Sequence, residues 1–243
     1  MALFSAKPYG LWNMLIGGLQ KNSFIDFPGK IAAVVFTKGC NLRCPYCHNP
    51  ELLEARGETV APAEVLAFLE KRQGLLQGVV ISGGEPCVHP DLPEFIRQIR
   101  RLGYAVKLDS NGSNPEMLGS LLQAGLLDYL ALDLKTPLAE YGELAGAGSA
   151  QLGEKIAASM ALLAASGLPG EFRTTCAAPF VDAAKIEAIA AAIAEYAPGY
   201  PLWLQAANWQ NALIPDYATD LPVPDLPGLR EAARKHIAAC EIR

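Results

Sequence analysis

Between Ile31 and Gln205, short apolar runs alternate with segments of helical periodicity, and most runs end in a polar or glycine-rich motif. The runs are Ile31–Thr37, Gly78–Ser82, Tyr104–Leu108, Tyr129–Leu132, Glu171–Thr175 and Pro201–Gln205. The helical segments are Pro62–Gln73, Asp91–Leu102, Pro115–Ala124, Gln151–Ser166 and Ala183–Glu195. In Asp91–Leu102, for example, Leu92, Phe95, Ile96 and Ile99 fall on one face. The strands read as continuous apolar runs rather than period-two alternations, as in parallel sheets covered by helices. The motifs fall at the C-terminal ends of successive strands, which is the functional rim of an α/β barrel. Six units are fewer than the eight that close such a barrel. The expected fold is therefore α/β, an incomplete parallel (β/α)6 barrel with one side open.

A chain of 243 residues, 51% of them hydrophobic, can bury one core of that size. The expected organisation is an N-terminal extension over residues 1–15, the partial barrel over 16–206, and a strap and helix over 207–243 packed on the same domain. Asn208–Gly228 is proline-rich without clear periodicity and reads as a surface strap, and Leu229–Cys240 reads as a closing helix. Met14 is an alternative start, since the fold pattern begins at Ile16-Gly17-Gly18. The apolar stretch from Tyr9 to Leu19 lacks the basic flank of a signal peptide, and no run of about 18 apolar residues could span a membrane. Lys+Arg 20 against Asp+Glu 25 leaves a net charge of −5, with no basic excess for nucleic acid or anionic lipid. Six cysteines are too few for a disulfide scaffold and suit a reducing cytoplasm. Cys87, Cys176 and Cys240 are scattered and read as buried free thiols. His236 reads as solvated.

The other three cysteines form Cys40-Asn41-Leu42-Arg43-Cys44-Pro45-Tyr46-Cys47, directly after the first apolar run. Thiolates select zinc, Cu(I) or iron–sulfur clusters. A structural zinc site would need a fourth ligand. His48 is adjacent to Cys47, and neighbouring side chains diverge, so distant His89 is the other candidate. A cubane cluster held by three cysteines instead keeps one iron open. The spacing and the rim motifs favour the cluster, with a zinc site as the alternative.

These residues carry a family resemblance. Cys40-x3-Cys44-x2-Cys47, with Tyr46 before the last cysteine, resembles the signature of the radical S-adenosylmethionine (SAM) superfamily. Gly83-Gly84-Glu85-Pro86 resembles its second motif. Ile25-Asp26-Phe27-Pro28-Gly29 and Cys47-His48-Asn49-Pro50 narrow the likeness to anaerobic ribonucleoside-triphosphate reductase activating proteins, and more broadly to glycyl-radical-enzyme activases. The resemblance covers about residues 16 to 206. It implies a [4Fe–4S] cluster on Cys40, Cys44 and Cys47 whose open iron binds the amino and carboxylate groups of SAM. One-electron reduction would then cleave SAM to methionine and a 5′-deoxyadenosyl radical, which takes a hydrogen atom from a glycine of a partner protein. The implied partners are a glycyl-radical enzyme, anaerobic ribonucleotide reductase first, and a flavodoxin or ferredoxin electron donor.

The same resemblance gives the rim residues roles. Gly83, Gly84 and Glu85 match the motif that contacts the SAM amino group. Asp109 and Ser110 open an Asp-Ser-Asn-Gly run that stands where the family has Asp-Thr-Asn-Gly. Asp133-Leu134-Lys135 resembles the activases' Asp-x-Lys, in which the lysine meets the SAM carboxylate. Asp109 and Asp133 match a monovalent-cation site. Arg173 takes a carboxylate or ribose role. Tyr46 and His48 flank adenine. Gln205 stands near the place of a SAM-contacting histidine on the sixth strand, a departure from the family pattern. Each residue also has a plain reading as a turn, a packing contact or a solvated side chain. The rival functions are a radical SAM enzyme acting on another peptide or small molecule, a simple electron carrier, and a zinc-stabilised protein-interaction module.

Overall fold

The structure, a computed structural model, describes residues 12–145, 151–177, 180–209, 212–213 and 223–243. Its strands are β1 (Ile16–Ser23), β2 (Ala32–Thr37), β3 (Gly78–Gly83), β4 (Ala105–Ser110), β5 (Tyr129–Asp133), β6 (Gly170–Cys176), β7 (Leu202–Ala206) and β8 (Cys240–Ile242). The helices are α1 (Pro62–Glu70), α2 (Leu92–Arg101), α3 (Pro115–Gln123), α4 (Tyr141–Ala145), α5 (Leu152–Ser166), α6 (Ala183–Tyr196) and α7 (Leu226–Arg234). The eight strands form one sheet in sequence order. Every neighbouring pair from β2 to β8 is parallel, and β1 runs antiparallel to β2. Parallel strands laid down in sequence order by right-handed crossovers carry all their helices on one face. The sheet therefore curls about its other face as an open barrel, and the expected fold class holds.

Local signals start the helices. Proline stands in the first turn of α1, α2, α3 and α7. Asn114 caps α3 through the Met117 amide at 3.1 Å, and Asp182 caps α6 through the Lys185 amide at 2.9 Å. The large core lies between sheet and helices. On α2, Leu92, Phe95, Ile96 and Ile99 are fully buried, each contributing about 1.5–3 kcal/mol of transfer free energy before ordering costs.

The concave face divides in two. On β2 and β3 it is apolar, where Ala32, Val34 and Val80 pack with Phe27. From β4 onward, alternate positions bring charge inward: Lys107, Asp109, Asp133, Glu171 and Arg173. Glu171 is buried, and its carboxylate accepts two bonds from Arg243, at 3.0 and 2.9 Å, and one from the Tyr129 hydroxyl at 3.0 Å.

Four features depart from expectation. Strand β1 is not among the apolar runs that the sequence shows, since its eight residues include Gly17-Gly18 and the polar Gln20-Lys21-Asn22. A Cβ on Gly17 would lie 2.5 Å from Leu52, so the glycine marks close packing rather than a turn. The expected closing helix over Leu229–Cys240 is instead α7, which begins at Leu226 behind the Asp225 cap and ends at Arg234, followed by β8. Three residues of strand are too few to show a period. The expected strap over Asn208–Gly228 lies partly outside the described residues, and its last three residues belong to α7. Strands β4 and β5 run on into the rim motifs, so Asp109, Ser110 and Asp133 sit on strand rather than loop. No helix among the described residues is long and apolar enough to cross a membrane.

Candidate active site

A cavity of about 300 Å³ opens at the C-terminal rim of the sheet. The fourteen residues that the sequence assigns to the cluster and SAM line it: the three cysteines, Tyr46, His48, Gly83, Gly84, Glu85, Asp109, Ser110, Asp133, Lys135, Arg173 and Gln205.

The cysteine loop is held by its backbone. Gly39 N–H donates to the Leu52 carbonyl at 2.8 Å, Cys40 N–H to Leu53 at 3.2 Å, Arg43 N–H to Leu144 at 3.1 Å, and Leu213 N–H to Cys47 at 3.0 Å. Leu42 is buried in the core and anchors the loop's centre. Burial pushes the Cys40 thiol up to about 11 and raises Cys44 as well. His89 is not part of the cavity lining that holds the three thiols. It is buried, and its ring nitrogen bonds the Lys38 carbonyl at 2.8 Å, so it is not the fourth ligand that a zinc site would need.

Gly83-Gly84-Glu85 proves to be the loop's root. The Gly84 amide donates to Thr37 and the Glu85 amide to Gly39, both at 2.8 Å. A Cβ on Gly83 would lie 2.3 Å from the Thr37 nitrogen, and one on Gly84 would lie 2.2 Å from the Gly39 oxygen. Gly83 also has φ of +113°, which only glycine adopts readily. The close approach these glycines allow is thus between two strand ends. Gly84→Ala should push the Gly39 backbone away at a cost of about 1–3 kcal/mol. The fold should survive by circular dichroism, while iron bound per chain after anaerobic reconstitution should fall several-fold.

Glu85 ties the rim together. Its carboxylate accepts from the Cys87 amide at 2.9 Å, the Ser110 hydroxyl at 2.8 Å and the Asn111 amide at 2.6 Å. Burial still raises its pKa despite these donors. Asn111, which sequence reasoning passed over, donates to the Asn41 side chain at 2.9 Å and so binds the cysteine loop to the end of β4. Its place inside the Asp-Ser-Asn-Gly run was the available signal.

The opposite side is a charged floor. Arg173 bridges Asp133 at 2.7 Å and Asp109 at 3.1 Å. Lys135 bonds the other Asp133 oxygen at 3.1 Å. Lys107, unmentioned by the motifs, bonds the other Asp109 oxygen. Burial alone would raise both aspartates, but the neighbouring cations outweigh it: Arg173 and Lys135 hold Asp133 well below the usual carboxylate range, and Arg173 with Lys107 lowers Asp109. Burial opposes the charge on Arg173 and Lys135 too, and the carboxylates raise both regardless. Three cations against two carboxylates leave one positive charge over.

The remaining expected residues are partly scaffold. Tyr46 is buried, and its hydroxyl donates to the Lys135 carbonyl at 3.1 Å. The Lys135 amide donates to the Tyr141 hydroxyl at 2.9 Å, so two tyrosines clamp the Asp-Leu-Lys turn. His48 is exposed and pairs with Asn49 at 3.2 Å. Gln205 donates to the Thr175 hydroxyl at 3.1 Å. Cys87, Cys176 and Cys240 are buried and free, and His236 is exposed, as expected.

A model of the radical SAM superfamily matches residues 34–193. A Methanocaldococcus jannaschii protein named "putative glycyl-radical enzyme activating enzyme" is 33% identical over 241 residues, covering 94% of this chain and 95% of that protein. Among solved structures, Streptococcus suis SuiB bound to precursor peptide SuiA superposes with a TM-score of 0.62 at 16% identity, over 86% of this chain and 48% of SuiB. Native anSMEcpe with bound AdoMet superposes with a TM-score of 0.55 at 14% identity, over 70% of this chain and 49% of that one. The chain spans about half of each of these two larger proteins, and at such identities the likeness is one of fold.

Proposed function

The chain belongs to the radical SAM superfamily, and from that premise we propose that it generates a glycyl radical on a partner enzyme, anaerobic ribonucleoside-triphosphate reductase being the first candidate. The observation that supports the SAM half of the reading is the charge layout of the cavity, while the glycyl-radical half rests on the likeness to the Methanocaldococcus jannaschii protein. One uncompensated positive charge on the floor faces one buried carboxylate, Glu85, with three thiols beside them. That layout matches the α-amino-acid end of SAM, whose carboxylate would meet Lys135 and Arg173 and whose ammonium would lie toward Glu85.

The donor set also fits a [4Fe–4S] cluster. Cys40, Cys44 and Cys47 open onto the same cavity, and soft thiolates are such a cluster's normal ligands. When bound and reduced, the cluster supplies the electron that splits the SAM sulfonium into methionine and a 5′-deoxyadenosyl radical. The chain's own residues do the holding. Glu85, Ser110 and Asn111 fix the loop against β4, the two tyrosines fix Lys135, and the apolar side chains of Phe36, Leu42 and Leu53 on the lining limit water. Tyr46, His48 and Gln205 complete the adenosine side. A zinc-stabilised interaction module would need the thiols but not the charged floor. A flavodoxin or ferredoxin would supply the electron, and a reducing cytoplasm suits six free thiols.

Anaerobic reconstitution with iron and sulfide, then dithionite and SAM, should release 5′-deoxyadenosine. Adding the reductase should give the doublet of a glycyl radical in electron paramagnetic resonance. Absence of 5′-deoxyadenosine would sink the enzyme reading. Its presence without a doublet on any native glycyl-radical partner would favour another peptide or a small molecule as substrate.

A further inference from the structure

The family resemblance implies a monovalent cation beside Asp109 and Asp133, but these residues do not fit one. Each of their four carboxylate oxygens already has a cationic donor: Lys107 and Arg173 on Asp109, Arg173 and Lys135 on Asp133. An added ion would leave two uncompensated positive charges in a largely buried site where a single ligand carboxylate is expected, an arrangement that desolvation penalises heavily.

We infer that the Lys107 ammonium is a built-in counter-ion to Asp109 that replaces the cation, so that this chain holds its ligand without sodium or potassium. Lys107 lies on β4, two residues before Asp109 and on the same inward face. It is 2% exposed. Its in-register neighbour on β5 is Tyr129, whose ring centroid lies 5.9 Å from the ammonium. A carboxylate on one side and a ring face near the other suit an ammonium. A hard metal cation would want oxygen ligands all round. The four-carbon stem fixes the charge to the sheet, so it cannot dissociate as a metal ion does. The ligand half of this inference rests on the SAM reading; the counter-ion half rests on the geometry alone.

The test compares chloride salts of sodium, potassium and tetramethylammonium at equal ionic strength. For the unsubstituted protein, the melting temperature without ligand should agree within about 1 °C across the three salts. SAM affinity of the reconstituted protein, by equilibrium dialysis, should agree within about two-fold. Lys107→Met should melt several degrees lower in tetramethylammonium and bind SAM about ten-fold more weakly, and potassium or sodium should restore both. Lys107→Arg, which keeps a fixed charge, should stay indifferent to the salt. Should Lys107→Met fail to fold, the double variant Lys107→Met/Asp109→Asn, which removes both charges, should fold and also be indifferent. Three results would overturn the inference: an unsubstituted protein that melts higher or binds tighter in potassium or sodium, a Lys107→Met protein that matches it in every salt, or a weakened Lys107→Met that neither ion restores. If the unsubstituted protein retains no SAM at all, the ligand reading fails, and the melting series still decides the counter-ion.

Discussion

Arg173→Met is expected to give a protein that keeps its iron yet no longer holds SAM. The guanidinium bridges Asp133 at 2.7 Å and Asp109 at 3.1 Å, and its side chain is 14% exposed. Removing it leaves two carboxylates facing each other with only Lys107 and Lys135 between them and the cavity. Breaking a buried pair by removing one partner costs about 3–5 kcal/mol. For a domain of this size that lowers the melting temperature by roughly 10 °C. The floor also loses its spare positive charge, so a ligand carboxylate finds no net attraction there. SAM affinity should fall at least about 100-fold, since a desolvated, hydrogen-bonded charge pair is worth several kcal/mol. Arg173→Lys should recover only part of this, because a point charge cannot donate to two carboxylates as the planar fork does. Equilibrium dialysis of SAM against reconstituted protein, read beside iron content and melting temperature, checks the claim. Normal affinity in the methionine variant would remove Arg173 from the site. Lost iron would mean that the floor supports the cysteine loop rather than the ligand.

Most of the parallel sheet was legible because buried strands and amphipathic helices leave periods that a single sequence shows. The two edge strands were not. Strand β1 carries Gly17 for packing against Leu52 and Lys38, and glycine reads as punctuation whether it serves a turn or a close contact. Strand β8 has three residues, too few to show a period. In the site, the motif residues converge on one cavity because a parallel sheet collects its strand ends on one rim. Roles were harder to read than positions. The glycines of Gly83-Gly84-Glu85 serve the approach of β2 to β3, a contact between segments far apart in sequence. Lys107 was missed although the rule that singled out Arg173 applies to it equally: a charge within an apolar strand must find a partner. No motif marked it, because its partner Asp109 is two residues away on its own strand.

Cys44→Ala should abolish the chemistry while leaving the fold nearly intact, and the comparison with Cys87→Ala makes the test specific. Cys44 is 8% exposed and lies between Cys40 and Cys47 on a loop pinned by Leu42 and by backbone bonds to Leu52, Leu53, Leu144 and Leu213. Those bonds do not involve its sulfur, so the loop should persist, at a cost of about 1–2 kcal/mol for the lost buried atom. A cluster with only two thiolate ligands on this loop should not be retained, since metal–thiolate bonds supply the binding free energy. Iron per chain should drop to about a tenth or less, and release of 5′-deoxyadenosine should fall more than about 1000-fold. Cys87 is 1% exposed, and its sulfur meets the Ser110 hydroxyl at 3.6 Å and the Glu85 carboxylate rather than the cysteine loop. Cys87→Ala should therefore keep its iron, and Cys176→Ala and Cys240→Ala should do the same. Iron and sulfide analysis of the six single variants separates the readings. Loss confined to positions 40, 44 and 47 supports a three-cysteine cluster. Stoichiometric zinc in place of iron, lost from the same three variants, would favour the interaction module and leave the charged floor without its ligand.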